Sequence, residues 1–141
     1  MSSAPAADEI APEALVKHAR EALGFAYADY SHFPVAAAVV DEFGRWFQGV
    51  NVENASYGLT ICAERAAIFA AVSKGARKIT AVAITAEKAH AVEPCGACRQ
   101  VMVEFCAPDA KVFLDTGTDE PLQRTVGELM PHAFTSKTLP G

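Results

Sequence analysis

The sequence lacks any long hydrophobic run. Its longest apolar stretches, Val35–Val40 and Ala66–Val72, fall far short of the roughly 20 residues that cross a bilayer, so no membrane partner is expected. An apolar leader is missing too. The opening MSSAPAADEIAPEA is acidic and rich in Ala, Ser and Pro, unlike a secretory signal, and a cytoplasmic location is the expectation. There is no excess of positive charge: 12 Lys and Arg stand against 17 Asp and Glu, for a net charge of −5, and the cations are scattered singly. A protein that grips a nucleic acid polymer carries a basic stripe; here none is seen, and the balance suits a small neutral substrate. Charged residues are few at 21%, and hydrophobic ones reach 51%, which excludes disorder for the whole chain.

What is present is enough for one domain of 141 residues with a sizeable core. Residues 1–9 read as a flexible N-terminal tail, and residues 10–141 as a single domain without repeats or a linker. A first helix is predicted from Pro12 to Tyr27, with proline at a favoured first position and Leu15, Ala19, Ala22, Leu23 and Ala26 at helical spacing. Phe33–Asp41 and Trp46–Val50 read as a hairpin around Glu42–Arg45. A second helix runs from near Cys62 to near Gly75, apolar on nearly every side and so expected between layers. Lys78–Thr85 is a third strand. A third helix follows Pro94, with Cys98, Val101, Met102 and Phe105 on one face. Lys111–Leu114 is a fourth strand, Pro121–Thr125 a weak fifth, and Val126–Met130 a short last helix. Helices alternating with strands predict an α/β fold with a mixed sheet covered on both faces.

The chain has four cysteines. Cys95 and Cys98 have the spacing that turns two thiolates toward one metal, and Cys62 supplies a third from another helix. Three protein ligands leave one tetrahedral position for water, the arrangement of a catalytic zinc. Both segments open helices, whose N-termini favour thiolates. Three thiolates leave Zn²⁺ with an excess negative charge, which Arg65 or Arg99 can offset. Glu64, two residues after Cys62, can reach the reacting water without ligating the metal and act as general acid and base. Cys106 lies about 12 Å along the helix from Cys98 at 1.5 Å per residue, and reads as a buried apolar thiol. The four histidines lack ligand spacing. A redox C-x-x-C pair and a closed structural metal site remain the other readings of these cysteines.

At these residues the chain resembles the small three-cysteine form of cytidine deaminase. The resemblance runs from Leu15 to Phe134 and rests on four blocks in order: Tyr30-Ser31-His32-Phe33-Pro34-Val35, Asn51-Val52-Glu53-Asn54-Ala55-Ser56-Tyr57-Gly58, Cys62-Ala63-Glu64-Arg65, and Pro94-Cys95-Gly96-Ala97-Cys98-Arg99-Gln100. It implies a three-layer α/β/α sandwich around a five-stranded mixed sheet, and a homotetramer with shared active sites. It implies hydrolytic deamination of cytidine and deoxycytidine, with Cys62, Cys95 and Cys98 holding one zinc ion per chain and Glu64 moving the proton. Arg65 matches a residue that compensates thiolate charge. Asn51 and Glu53 match a pair that hydrogen-bonds ribose. Phe33 and Phe134 match aromatics flanking the base, the latter donated by another subunit, while Ala55 and Tyr57 match residues that reach a neighbouring site. Two positions depart from the pattern: Ala36 stands where glycine is usual, and no Gly-Pro follows Phe134.

Three rivals are weighed against this. A deaminase of blasticidin S or a base-modified cytidine does not call for the Asn51/Glu53 ribose pair. A deoxycytidylate deaminase wants a phosphate-binding cationic cluster and usually histidine in place of Cys62. A non-catalytic zinc protein has no need of Glu64 beside an open metal position.

Overall fold

A computed structural model of the protein describes residues 10–140; the expected tail, residues 1–9, lies outside them. The elements follow the predicted order: α1 (Pro12–Ala22), β1 (Val35–Asp41), β2 (Trp46–Val50), α2 (Ala63–Ser73), β3 (Ile79–Ala86), α3 (Gly96–Phe105), β4 (Lys111–Leu114), β5 (Leu122–Thr125) and α4 (Val126–Leu129). The sheet runs β2-β1-β3-β4-β5. Only β3 and β4 pair in parallel; the other three pairings are antiparallel.

Strand alternation sorts the core onto two faces. Ala37 and Val39 of β1, Val82 and Ile84 of β3, and Val112 and Leu114 of β4 meet α2, α3 and α4. The intervening Ala38, Val40, Ala81, Ala83 and Phe113 meet Leu15, Val16 and Ala19 of α1. Side chains of successive residues point to opposite faces, so one sheet carries two hydrophobic surfaces and a helical layer on each. This is the expected three-layer sandwich with a five-stranded mixed sheet.

Three features differ most from expectation. α1 stops at Ala22, and a single 3₁₀ turn over Leu23–Phe25 replaces its expected last turn. The reason is long-range pairing: the Tyr27 amide donates to the Asn51 carbonyl at 3.0 Å, and the Glu53 amide donates to the Tyr27 carbonyl at 2.9 Å. Gly24, a poor helix former, makes that exchange easier. β1 begins at Val35 rather than Phe33, because the Phe33 carbonyl is taken by the Asn51 side chain and Pro34 has no amide to give. α2 is buried along one side only, through Ala63, Glu64, Ala67, Ile68 and Ala71; Phe69 is exposed. It covers the sheet with no second layer over it among the described residues.

Two glycines fix α2. Gly75, with φ +98°, ends it in a Schellman motif: the Gly75 amide bonds the Val72 carbonyl and the Ala76 amide the Ala71 carbonyl, each at 3.0 Å. Gly49 on β2 lets the helix approach the strand closely. A Cβ there would lie 2.3 Å from the Ala67 nitrogen and 2.6 Å from the Ala63 oxygen.

Beyond β4, Asp115 ties three elements together. Its carboxylate accepts two hydrogen bonds from Arg20 of α1, at 2.7 and 2.6 Å, one from the Thr85 hydroxyl at 2.7 Å and one from the Gly117 amide at 2.8 Å. Its carbonyl accepts the Ala91 amide at 2.7 Å, anchoring the loop that leads to Cys95.

Candidate active site

Cys62 and Cys95 are the N-cap residues of α2 and α3, both in extended conformation. The caps therefore set two sulfurs at two helix starts. Cys98 adds a third from the first turn of α3. The Cys62 and Cys95 sulfurs are 3.7 Å apart, those of Cys95 and Cys98 3.4 Å, and all three lie within 4.8 Å of one another. Zn–S bonds of about 2.3 Å in tetrahedral geometry separate neighbouring sulfurs by about 3.8 Å, so this donor set fits zinc. No other group of three metal-capable side chains occurs among the described residues, and no histidine joins this one. Cys106 instead caps the C-terminus of α3 in the core, where burial pushes its thiol up to about 12.

The cluster's electrostatics favour deprotonation of one thiol. The neighbouring Cys98, with Arg65 and Cys95, brings Cys62 down to about 5 against the opposing effect of burial. Cys62 in turn raises Cys98, so Cys62 is the first thiolate. Arg65 donates from Nη2 to the Cys62 sulfur at 3.5 Å. Its Nε is buried without a hydrogen-bond partner, a donor kept at the cluster by charge rather than by a complete hydrogen-bond set.

Glu64 is buried beside the thiols at the second position of α2. Burial pushes its carboxyl above the ordinary value, the shift that suits a group taking up and releasing a proton near neutrality. Glu64 forms part of the wall of a pocket of about 320 Å³, together with Phe33, Asn51, Glu53, Cys62 and Cys95. Cys98 sits behind this surface, fully buried.

The rim is held by hydrogen bonds. Asn51 is buried, and its amide clamps one backbone segment: Nδ2 donates to the Phe33 carbonyl and Oδ1 accepts the Val35 amide, each at 2.9 Å. Glu53 accepts the Tyr30 and Ser31 amides at Oε1, both at 2.9 Å, and the Ser31 hydroxyl at Oε2. Ala55, Tyr57 and Phe134 stand away from the thiol pocket. Tyr57 is 77% exposed and lines an adjoining pocket of about 380 Å³ with Tyr30, Ser31, Glu53 and Thr60. Phe134 is 58% exposed; its carbonyl accepts Gln100 Nε2 at 2.9 Å. Ala36 is fully buried in β1.

Sequence reasoning gave no role to Ser31 or Glu93. Glu93 borders the thiol pocket and pairs with Arg124 at 3.0 Å and Arg99 at 3.8 Å. Its signal was its place directly before Pro94-Cys95. Arg99 itself is a strut of the loop: Nε donates to the Pro94 carbonyl at 2.7 Å and Nη1 to the Leu129 carbonyl at 3.1 Å.

Comparison with known proteins follows this geometry. Residues 10–114 match the family model described as the cytidine and deoxycytidylate deaminase zinc-binding region. The chain is 48% identical over 125 residues to a cytidine deaminase of Halalkalibacterium halodurans, covering 89% of this chain and 95% of that one. A cytidine deaminase of Sporosarcina psychrophila is 43% identical, with 90% and 93% covered. Among solved structures, cytidine deaminase from Burkholderia pseudomallei superposes with a TM-score of 0.80 at 46% identity, covering 86% of this chain and 97% of that one. A cluster of three thiols at two helix starts, a buried glutamate beside it, and this breadth of likeness place the chain in the cytidine and deoxycytidylate deaminase family, whose shared feature is the zinc-binding region.

Proposed function

We propose that the protein hydrolyses cytidine and 2′-deoxycytidine to uridine and 2′-deoxyuridine with release of ammonia. The single observation that carries this is Glu64: a buried carboxyl, raised by its burial, in the wall of a pocket that also exposes two thiols of the zinc-fitting cluster. Cys62, Cys95 and Cys98 would hold one zinc ion per chain, with Arg65 offsetting thiolate charge. Zinc bound there supplies a Lewis acid that makes water deprotonate near neutral pH.

The chain's own groups do the rest. Glu64 takes one proton from the attacking water and hands it to N3 of the pyrimidine; it then takes the second from the new hydroxyl on C4 and gives it to the amine as the C4–N bond breaks and the C4 carbonyl forms. Phe33 flanks the base. Asn51 and Glu53 receive the ribose. The pocket wall contains Glu53, Glu64 and Glu93 but no Lys or Arg, which favours an uncharged nucleoside over a phosphorylated one. Residues 10–141 act as one catalytic unit. The exposed Tyr57 and Phe134, with Ala55, suit sites completed by neighbours in a homotetramer. Among the described residues no helix is long and apolar enough to cross a membrane. The proposed enzyme is a cytoplasmic one of pyrimidine salvage, whose partner is a small nucleoside rather than a membrane or a nucleic acid polymer.

Ammonia release from cytidine, measured with and without a zinc chelator, tests the reading. Zinc-dependent release supports it. Stoichiometric zinc without release rejects the activity, and release that survives complete removal of metal rejects the mechanism.

A further inference from the structure

Among the hydrogen bonds that join the loop Tyr30–Phe33 to the segment Asn51–Glu53, one is made by a side-chain hydroxyl. Ser31 Oγ donates its proton to Glu53 Oε2 and accepts the Phe33 amide at 3.1 Å. A serine hydroxyl has one proton to donate, and here it is committed. Ser31 is thus not arranged as a nucleophile or as a proton donor to substrate. The turn is tightened further by His32, a non-glycine residue at φ +57°, whose amide bonds the Ala28 carbonyl at 2.8 Å.

The hydrogen bonds also distinguish the two oxygens of Glu53. A carboxylate oxygen accepts about two hydrogen bonds. Oε1 already accepts two, from the Tyr30 and Ser31 amides. Oε2 accepts one, from Ser31 Oγ, and keeps room for one more. Both Ser31 and Glu53 line the thiol pocket.

We infer that Ser31 is a positioning residue for substrate selection: its hydroxyl fixes the Glu53 carboxylate so that Oε2 presents a single acceptor to a sugar hydroxyl. The inference rests on the nucleoside reading above and assigns the sugar contact to one atom. Support comes from charge. The Ser31 hydroxyl and amide hold the Glu53 carboxyl below its ordinary value, so it meets the sugar as an ionised acceptor, the stronger form.

The test compares wild type with Ser31→Ala and Ser31→Thr on cytidine and on 2′,3′-dideoxycytidine, which has no 2′ or 3′ hydroxyl. Ser31→Ala should raise KM for cytidine about tenfold and change kcat less than about threefold, as expected for one charge-assisted hydrogen bond acting on binding. With dideoxycytidine the KM should move less than about twofold. Ser31→Thr, which keeps the hydroxyl, should restore cytidine KM. An unchanged cytidine KM, an equal rise for both nucleosides, or an alanine variant that does not fold overturns the inference. A second readout does not depend on turnover: the ¹³C resonance of the Glu53 carboxyl, followed against pH with His32 intact in every chain. Its midpoint should rise in Ser31→Ala and return in Ser31→Thr; an unmoved midpoint overturns the assignment. If the wild type leaves both nucleosides unchanged, the deaminase reading has failed, and this titration still decides whether Ser31 holds Glu53.

Discussion

The thiol end of the pocket lies at the starts of α2 and α3, with Glu64 and Cys98 buried, whereas residues 53–60 and the C-terminal segment form an outer region where Tyr57 and Phe134 stand open. The first region is assembled from residues of one chain. Its geometry follows from two N-caps and two helical turns, carried by two short stretches of sequence that the sheet brings together. The second is made of short turns and loops whose aromatic rings, Tyr57 and Phe134, are largely exposed among the described residues. Chemistry and substrate enclosure are thereby separated, and substitutions in the two regions are expected to fail in different ways.

The largest effect belongs to the thiol end. Glu64→Gln keeps the shape and loses the proton carrier, so turnover should fall at least about 10³-fold. Zinc content by metal analysis should remain one per chain. Retention of more than about a tenth of wild-type turnover with zinc in place would move the chemistry away from Glu64.

On the rim the loss should appear in binding. Glu53→Ala removes the carboxylate that would receive the sugar, at a cost of about 1–3 kcal/mol, read as a higher KM for cytidine with a much smaller change for free cytosine. Equal losses on both would merge rim and thiol end into one structural unit.

A third change addresses the support behind both. Burial alone would raise the Asp115 carboxyl; Arg20, Thr85 and Gly117 outweigh it and bring the value from 3.8 to about 2. A depressed folded value stabilises above the unfolded one and fades as acid is added. Stability from this group is therefore present above about pH 4 and lost between about pH 4 and 2. Asp115→Asn should lower stability by about 1–3 kcal/mol at neutral pH and flatten the acid limb of melting temperature against pH. An unchanged acid limb would show that the carboxylate's partners contribute little.

The smallest effect on the chemical step should come from the outer wall. Phe134→Ala should leave zinc content unchanged and alter cytidine KM by a few-fold, about the worth of one aromatic contact, with light scattering reporting the assembly. A wild-type monomer that is fully active at micromolar concentration would show that one chain encloses the substrate unaided.

These contrasts also explain what could be read from the sequence. The spacings Cys62/Glu64 and Cys95/Cys98 were legible because each is local, a cap and the turn after it; the meeting of the two pairs across 33 residues was expected from their chemistry and the family resemblance. β1 and β3 were legible as strands because each is a short apolar run, also a local sign. The end of α1 was not, since Tyr27 leaves helical geometry to pair with Val52, a partner whose pull has no local sign. Nor was the one-sided burial of α2, because an apolar sequence does not reveal how many layers will cover it. The Asn51 and Glu53 clamps on residues 30–35 link segments about twenty residues apart, and polar residues in a loop carry no mark of which amides they will accept.

Gly49 gives the site an Achilles heel far from any reacting atom. It sits on the edge strand, yet the atoms a side chain would strike, the Ala63 oxygen and the Ala67 nitrogen, belong to the opening turns of α2. Ala63 is the one residue between Cys62 and Glu64. Even Gly49→Ala would have to lift the start of the helix, and Cys62 and Glu64 would travel with it. In laboratory evolution of this scaffold, damage at Gly49 should therefore masquerade as an active-site lesion, and suppressors should arise among the small residues of α2 rather than in the pocket.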